Sequence, residues 1–343
     1  MSIQQMLGIE LPIIQAPMAG VQNSALAIAV SNAGGLGSLP CAMLNAQALR
    51  GELELLRAGT SRPVNLNFFC HQPQEENSAE TAAWRDILKN YHAEFGIDSG
   101  AMSSAPARMP FNREMAEIVL AFKPAVVSFH FGLPHKELLD MARASGAKIF
   151  SSATTLEEAL WLEANGADAV IAQGFEAGGH RGMFLTEDIT TQVGSFALLP
   201  QLVRALKLPV IAAGGIADAH GVRAALELGA AGVQIGTAYM LCPEATTSAV
   251  HRAVLKSPVA HITALTNVFT GKPARGIVNR VMREIGPMNS AAPTFPHAAT
   301  AMAPLRAAAE KLGSADFSPL WAGQNVTGCR EISAALLTQE FAK

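Results

Sequence analysis

The chain is poor in charge, in aromatic rings and in cysteine. Of its 343 residues only 15% are Asp, Glu, Lys or Arg, and the formal net charge is −3. That balance offers no general attraction to phosphate backbones or anionic lipids, so neither nucleic acid nor a membrane is an expected partner and a small molecule is. Cys41, Cys70, Cys242 and Cys329 are far apart and form no C-x-x-C pair. They fit neither a disulfide framework nor a zinc site and read as reduced, buried thiols. No run approaches the ~20 apolar residues of a membrane helix. The opening MSIQQMLGIELPIIQ lacks the basic-then-apolar order of a secretory signal, so a cytoplasmic protein is expected. No G-x-G-x-x-G follows a strand-like run, which argues against a dedicated dinucleotide-binding fold. Nor is there a solenoid repeat, or the cluster of His and carboxylates that a metal-dependent lyase would need; no metal is expected.

What is present is apolar: half the residues are hydrophobic, enough for a large core. Short β-branched runs recur at 11–18, 35–40, 63–69, 125–132, 148–153, 169–174, 209–215 and 232–240. Amphipathic stretches at 24–33, 45–58, 135–145, 155–165, 196–206 and 218–228 alternate with them, the spacing of βα units. Several runs are apolar on both faces, as in a parallel sheet covered by helices. Eight units in about 240 residues predict a closed (β/α)₈ TIM barrel, usually about 250 residues, in preference to a doubly wound open sheet. The rhythm breaks at 70–110, which is polar and has no clear strand, and 246–343 is mainly helical in pattern. The expected organisation is a barrel from 1–69 and 111–245, with 70–110 and 246–343 forming a smaller, mostly helical lobe over its mouth.

Barrel active sites lie at the C-terminal ends of the strands. Glycines and polar residues concentrate there: Gln15 to Gly20, Asn67, Ser128 to Gly132, Gln173-Gly174, Gly214-Gly215 and Gln234 to Thr237. Gly214-Gly215-Ile216 reads as a turn opening the next helix, where backbone N–H groups and the helix dipole would receive an anion; the alternative is glycines that only permit a tight turn. Gln234-Ile235-Gly236-Thr237 adds a second small turn and a hydroxyl, and a phosphate between these two loops is a recurrent barrel arrangement. Residues 174–182, GFEAGGHRG, look too glycine-rich for a regular helix or strand. A histidine in such a loop can titrate near neutral pH, so His180 suits proton abstraction or the stabilising of developing negative charge, against the alternative of a histidine that only bonds backbone. Glu176 is the competing base but reads better as a structural hydrogen-bond acceptor, Arg181 as a solvated charge, and His130 as a packed or supporting histidine. Lys272, Arg275, Asn279 and Arg280 form a basic cluster that either faces solvent or reaches an anion at the mouth.

Together IIQAPMAG (13–20), VVSFHFGLP (126–134), VIAQGFEAGGHRG (170–182), the long segment 208–240, FTGKPARGIVNR (269–280) and LWAGQ (320–324) resemble class I of the nitronate monooxygenases, formerly called 2-nitropropane dioxygenases. The resemblance spans nearly the whole chain. It implies an FMN-containing barrel that oxidises alkyl nitronates with O2 to an oxo compound and nitrite or nitrate, with propionate 3-nitronate as a physiological substrate and detoxification as the role. It also implies that Asn67, Gln173, Gly178, Gly215, Gln234, Ile235, Gly236 and Thr237 bind FMN, that Met18 lies near the isoalloxazine, and that His180 is the active-site histidine. One departure concerns the substrate pocket: the family's tyrosines are scarce in this chain, which has only Tyr91 and Tyr239. The competing functions are a flavin-dependent NADH:quinone or enoyl-thioester reductase on the same barrel, and a non-catalytic metabolite-binding barrel.

Overall fold

The computed structural model describes residues 2–98 and 109–343. Eight parallel strands form one sheet: β1 (Ile13–Gln15), β2 (Gly37–Pro40), β3 (Val64–Phe69), β4 (Val126–His130), β5 (Lys148–Ala153), β6 (Ala169–Gln173), β8 (Val210–Ala213) and β9 (Gly232–Ile235). Their order is β1-β9-β8-β6-β5-β4-β3-β2, and a parallel bridge between Ile14 and Leu36 joins β1 to β2, closing the ring. The fold is the expected (β/α)₈ barrel.

Strand side chains alternate in direction, which divides the barrel into two cores. Val170, Ala172, Val210, Ala212, Val233 and Ile235 point outward, against the surrounding helices. Ile14, Leu36, Val126, Phe150, Ile171 and Ile211 point inward, closed from below by Ile3 and Leu7 of the N-terminal helix Ile3–Leu7. Above this apolar floor the inward positions turn polar: Asn67, Ser128, His130, Ser152, Gln173 and Gln234. A layer of polar groups inside a barrel needs partners, either one another or a ligand.

The lobe grows from two excursions of the chain. In the first, helix Ser78–Glu94 packs with helix Ala298–Lys311; residues 99–108 of the expected insertion lie outside the described residues. The chain then returns to the barrel through helix Arg113–Phe122, an element the sequence reading lacked. Trp84 and Leu88 pack with Phe269, Met302, Leu305 and Phe317, and the Trp84 indole donates to the Ala298 carbonyl at 3.2 Å. The second excursion contains more than helices. Strands β10 (Thr263–Thr266) and β11 (Ala274–Ile277) form an antiparallel sheet whose third strand is β7 (Gly179–His180), contributed by the loop after β6. A two-residue strand has no alternation to betray it, and its pairing partner lies about a hundred residues away. The final helix, Ala334–Phe341, leaves the expected lobe and packs on the barrel, with Leu337 and Phe341 in the outer core and the Tyr239 hydroxyl 2.8 Å from Thr338 Oγ1. Among the described residues no helix is long and apolar enough to cross a membrane.

His251, on helix Ala249–Leu255 of the lobe, is 4% exposed and its Nε2 has no hydrogen-bond partner among the described residues. Burial, reinforced by the Arg306 charge, lowers its pKa from 6.5 to about 4. The unfolded chain therefore takes up a proton below pH 6.5 that the folded chain refuses until about pH 4. Stability is full above pH 6.5 and falls across that window by about 3 kcal/mol for this residue. Urea unfolding at pH 7, 5.5 and 4.5 is expected to show a shallower loss in His251→Asn than in the parent. Parallel pH profiles would reject the assignment.

Candidate active site

The polar tier is held together by its own residues. Asn67 Nδ2 donates to Ser128 Oγ at 3.0 Å and to the Ser128 carbonyl at 3.2 Å. The His180 carbonyl lies 2.9 Å from Gln173 Nε2 and 3.2 Å from His130 Nε2. A carbonyl only accepts, so His130 carries its proton on Nε2, and Nδ1, 3.1 Å from Ser152 Oγ, accepts the serine hydroxyl. Burial pushes the His130 pKa down to about 4, with Lys272 and Arg181 adding to the effect, so this tautomer is neutral. His130 is thus the supporting histidine the sequence suggested. Gln173 Oε1 in turn accepts from Gly182 N at 2.7 Å, so one glutamine amide clamps both ends of the histidine segment.

The loop after β6 carries the largest departure from expectation. Arg181 is not a solvated charge: it is fully buried, donating to the Gln173 and Gly174 carbonyls at 2.8 and 2.7 Å and to Gln192 Oε1 at 2.8 Å. Burial, with Arg275 nearby, brings its pKa down to about 10. Glu176 takes the structural role: its carboxylate accepts from Ser195 N at 2.9 Å and Ser195 Oγ at 2.7 Å, capping helix Ser195–Ala205. Gly178 has a steric reason, since a Cβ there would stand 2.5 Å from the backbone of Ala322 and Gly323. The LWAGQ segment therefore presses directly on this loop.

His180 emerges from β7 with its ring against an aromatic wall. Its centroid lies 5.4 Å from Phe295, 5.6 Å from Trp321, 6.1 Å from Phe131 and 6.2 Å from Phe69. Thr270 Oγ1 lies 2.9 Å from Nε2 and holds the ring in place. Phe131 adopts φ +69, a conformation that bulky residues enter only when the surroundings impose it. The two tyrosines are elsewhere, Tyr239 buried in the barrel core and Tyr91 against Phe317 in the lobe, so phenylalanine and tryptophan line this pocket instead. A cavity of about 920 Å³ adjoins the wall at Phe69 and Thr270 and runs toward Cys41, Phe269 and Met302. Of these residues only Phe131 lies in a strand end that the sequence singles out; Phe69, Phe295, Trp321 and Thr270 are not marked as site residues, although Thr270 and Trp321 sit inside the FTGKPARGIVNR and LWAGQ segments.

At the other side of the mouth, Gly214 and Gly215 have φ +109 and +76, which a side chain would strain. They do not open the helix. Helix Ala219–Glu227 starts later, and the Asp218 carboxylate caps it by accepting from Gly221 N at 2.8 Å. A capping carboxylate repels a second anion, so any anion site here rests on the glycine turn and not on the helix dipole. Gln234 points inward, between the outward Val233 and Ile235, and its Oε1 is buried with no hydrogen-bond partner among the described residues. Gly236 leaves its face to the Met18 thioether, 3.5 Å from where a Cβ would sit. Thr237 Oγ1 accepts from Gly323 N at 2.9 Å. The Ile235 side chain is in the outer core, leaving only its backbone toward the mouth.

The basic cluster splits four ways. Arg275 is buried over the Phe175 ring and donates to the Phe175 carbonyl at 3.0 Å. Asn279 caps helix Arg280–Ile285 and holds the Ala315 and Ser318 carbonyls. Arg280 pairs with Glu94 and Glu284. Lys272 is half-buried, its Nζ 4.9 Å from the Phe131 ring centroid. The four thiols are free, and burial raises the pKa of each, to about 12 for Cys242 and Cys329.

Comparison with known proteins places this geometry. A family model described as nitronate monooxygenase matches residues 2–342. The chain is 44% identical over 335 residues to a nitronate monooxygenase of Pseudomonas aeruginosa, covering 97% of this chain and 95% of that one. It is 40% identical over 338 residues to a nitronate monooxygenase of Paraburkholderia phytofirmans, covering 98% and 92%. The solved structure of the nitroalkane oxidase from Streptomyces ansochromogenes superposes with a TM-score of 0.90 at 38% identity, over 99% of this chain and 96% of that one.

Proposed function

This chain belongs to the nitronate monooxygenase family, a family of flavin oxidoreductases, and from that premise we propose that it uses FMN and O2 to oxidise alkyl nitronates, propionate 3-nitronate among them, in a detoxifying role. The observation that carries the cofactor reading is the buried Gln234 Oε1, an acceptor without a donor among the described residues, in the polar tier of the barrel. A buried carbonyl oxygen left unbonded costs about 1–3 kcal/mol, and a ligand donor removes that cost. The left-handed Gly214-Gly215 turn beside it gives the close backbone approach a phosphate needs. The residues fit the group: Gly215, Gly236 and Thr237 would hold the phosphate end, and Asn67, Gln173, Gly178, Gln234 and the Ile235 backbone would surround the ring system, with Met18 against it. When bound, FMN supplies the two-electron acceptor and the route to O2.

The chain's own residues do the rest. A nitronate is already a carbanion equivalent and needs no base. A neutral nitroalkane must first lose its α-proton, and His180, held through Nε2 by Thr270, is the group at the mouth that would take it. The wall of Phe69, Phe131, Phe295 and Trp321 keeps water from the reacting carbon. The test is oxygen uptake with propionate 3-nitronate, run beside anaerobic mixing with NADH. Fast oxygen uptake and slow flavin bleaching are expected. Rapid bleaching by NADH would favour a reductase, and colourless protein that takes up no FMN would favour a binding barrel.

A further inference from the structure

Lys272 is the one member of the basic cluster whose charge the fold leaves unanswered. Among the described residues its ammonium makes no ion pair and donates no hydrogen bond; it lies over the Phe131 ring at 4.9 Å. Burial depresses its pKa, which the fields of Glu187 and Glu158 partly offset. Neither carboxylate pairs with it. Glu158 is fully buried, its oxygens accepting from Thr154 N and Oγ1 and from Phe184 N and Leu185 N, and Glu187 stands in solvent. Partly buried cations are normally paired, and a single aromatic face is a weaker partner than a carboxylate.

The position of this cation is specific. Phe131 touches both residues: its ring centroid lies 6.1 Å from that of His180 and 4.9 Å from the Lys272 ammonium. Lys272 also immediately precedes β11, whose Ala274 pairs with His180, so the two residues are fixed to one small sheet. The reacting carbon belongs beside His180. An ammonium one aromatic ring away is placed for a second charge carried a few carbons along the same molecule.

We propose that Lys272 is an anion subsite for the distal carboxylate of the substrate, making the enzyme selective for nitronates that carry a carboxylate over plain alkyl nitronates. This rests on the nitronate-oxidising reading above and names the residue that would read the carboxylate of the substrate proposed there. The experiment compares propionate 3-nitronate with propyl-1-nitronate in the flavin-loaded parent, Lys272→Met and Lys272→Arg. In Lys272→Met the KM for propionate 3-nitronate is expected to rise by roughly 10- to 100-fold with kcat changed much less, the loss typical of removing one partner of a desolvated charge pair. The KM for propyl-1-nitronate should move by no more than about 3-fold, and Lys272→Arg should recover most of the selectivity. Equal losses with both substrates would overturn the proposal by placing Lys272 at the nitro group; no loss with either would reduce it to a cap on Phe131. Should the parent oxidise neither nitronate, the reaction reading fails, and the subsite is still decided by binding. Perturbation of the flavin absorbance by 3-nitropropionate and by 1-nitropropane gives both dissociation constants, and a carboxylate preference that Lys272→Met does not abolish would also overturn it.

Discussion

His180→Asn is expected to lower turnover of neutral nitroalkanes by about 10²- to 10⁴-fold, the usual contribution of a positioned base, while oxidation of the corresponding nitronates stays within a few-fold of the parent. The structure makes this a clean substitution. The interactions that fix the loop at this position are main-chain ones: the His180 carbonyl receives Gln173 and His130, and the β7 backbone pairs with Ala274. Asparagine keeps all of them and retains a polar group near Thr270. It removes the imidazole that would carry the proton. Oxygen uptake with nitroethane and with its pre-formed nitronate separates the two steps, because only the first requires loss of a C–H proton. Equal losses with both would remove the base role from His180 and leave it as a binding or positioning residue.

The second large effect is expected at Arg181, where replacement by Met should destabilise the protein and release the flavin. Methionine matches much of the apolar stem but donates nothing. Three acceptors, the Gln173 and Gly174 carbonyls and Gln192 Oε1, would lose charge-assisted bonds of 2.7–2.8 Å. Such bonds contribute about 1.5–3 kcal/mol each. Against this stands the relief of burying a guanidinium, whose pKa is brought from 12.5 to about 10, worth about 3 kcal/mol. The bonds win by roughly 1.5–6 kcal/mol. Gln173 is a shared element: Arg181 anchors its carbonyl, while its amide clamps His180 and Gly182. Loosening it should therefore also weaken flavin retention, by about 10-fold or more if 1.4 kcal/mol of the loss reaches the site. Urea midpoints and the fluorescence of released flavin measure the two consequences separately. A variant as stable and as yellow as the parent would show that the arginine is replaceable filler.

The sequence reading failed at Arg181 for a physical reason. A charged residue between glycines carries no local sign of burial; its acceptors come from the ends of β6 and from Gln192, and only the folded loop brings them together. The glycine turns show the opposite case in part. Gly214-Gly215 was recognisable as a tight turn because a positive φ leaves a mark on residue choice. That the helix beyond it is capped by Asp218, and so offers no dipole to an anion, depends on three residues of spacing that periodicity does not resolve. The basic cluster was legible as a cluster, yet its four members have four fates, decided by which side of β11 and its flanking turns each occupies.

What the sequence alone determined is the barrel, the end of it where glycines and polar residues gather, and the loop that carries His180. These follow from patterns of period two and 3.6 and from glycines at strand ends, all written within a few residues of one another. Tertiary structure decided what each polar residue in that loop and its neighbours does. It made Arg181 a buried brace, Gln173 a clamp and Lys272 a half-buried charge over Phe131 with no ion pair among the described residues, and it stitched His180 into a strand beside β11. Those outcomes depend on partners from seven to about 140 residues away, and a partner's identity is set by how the chain closes on itself.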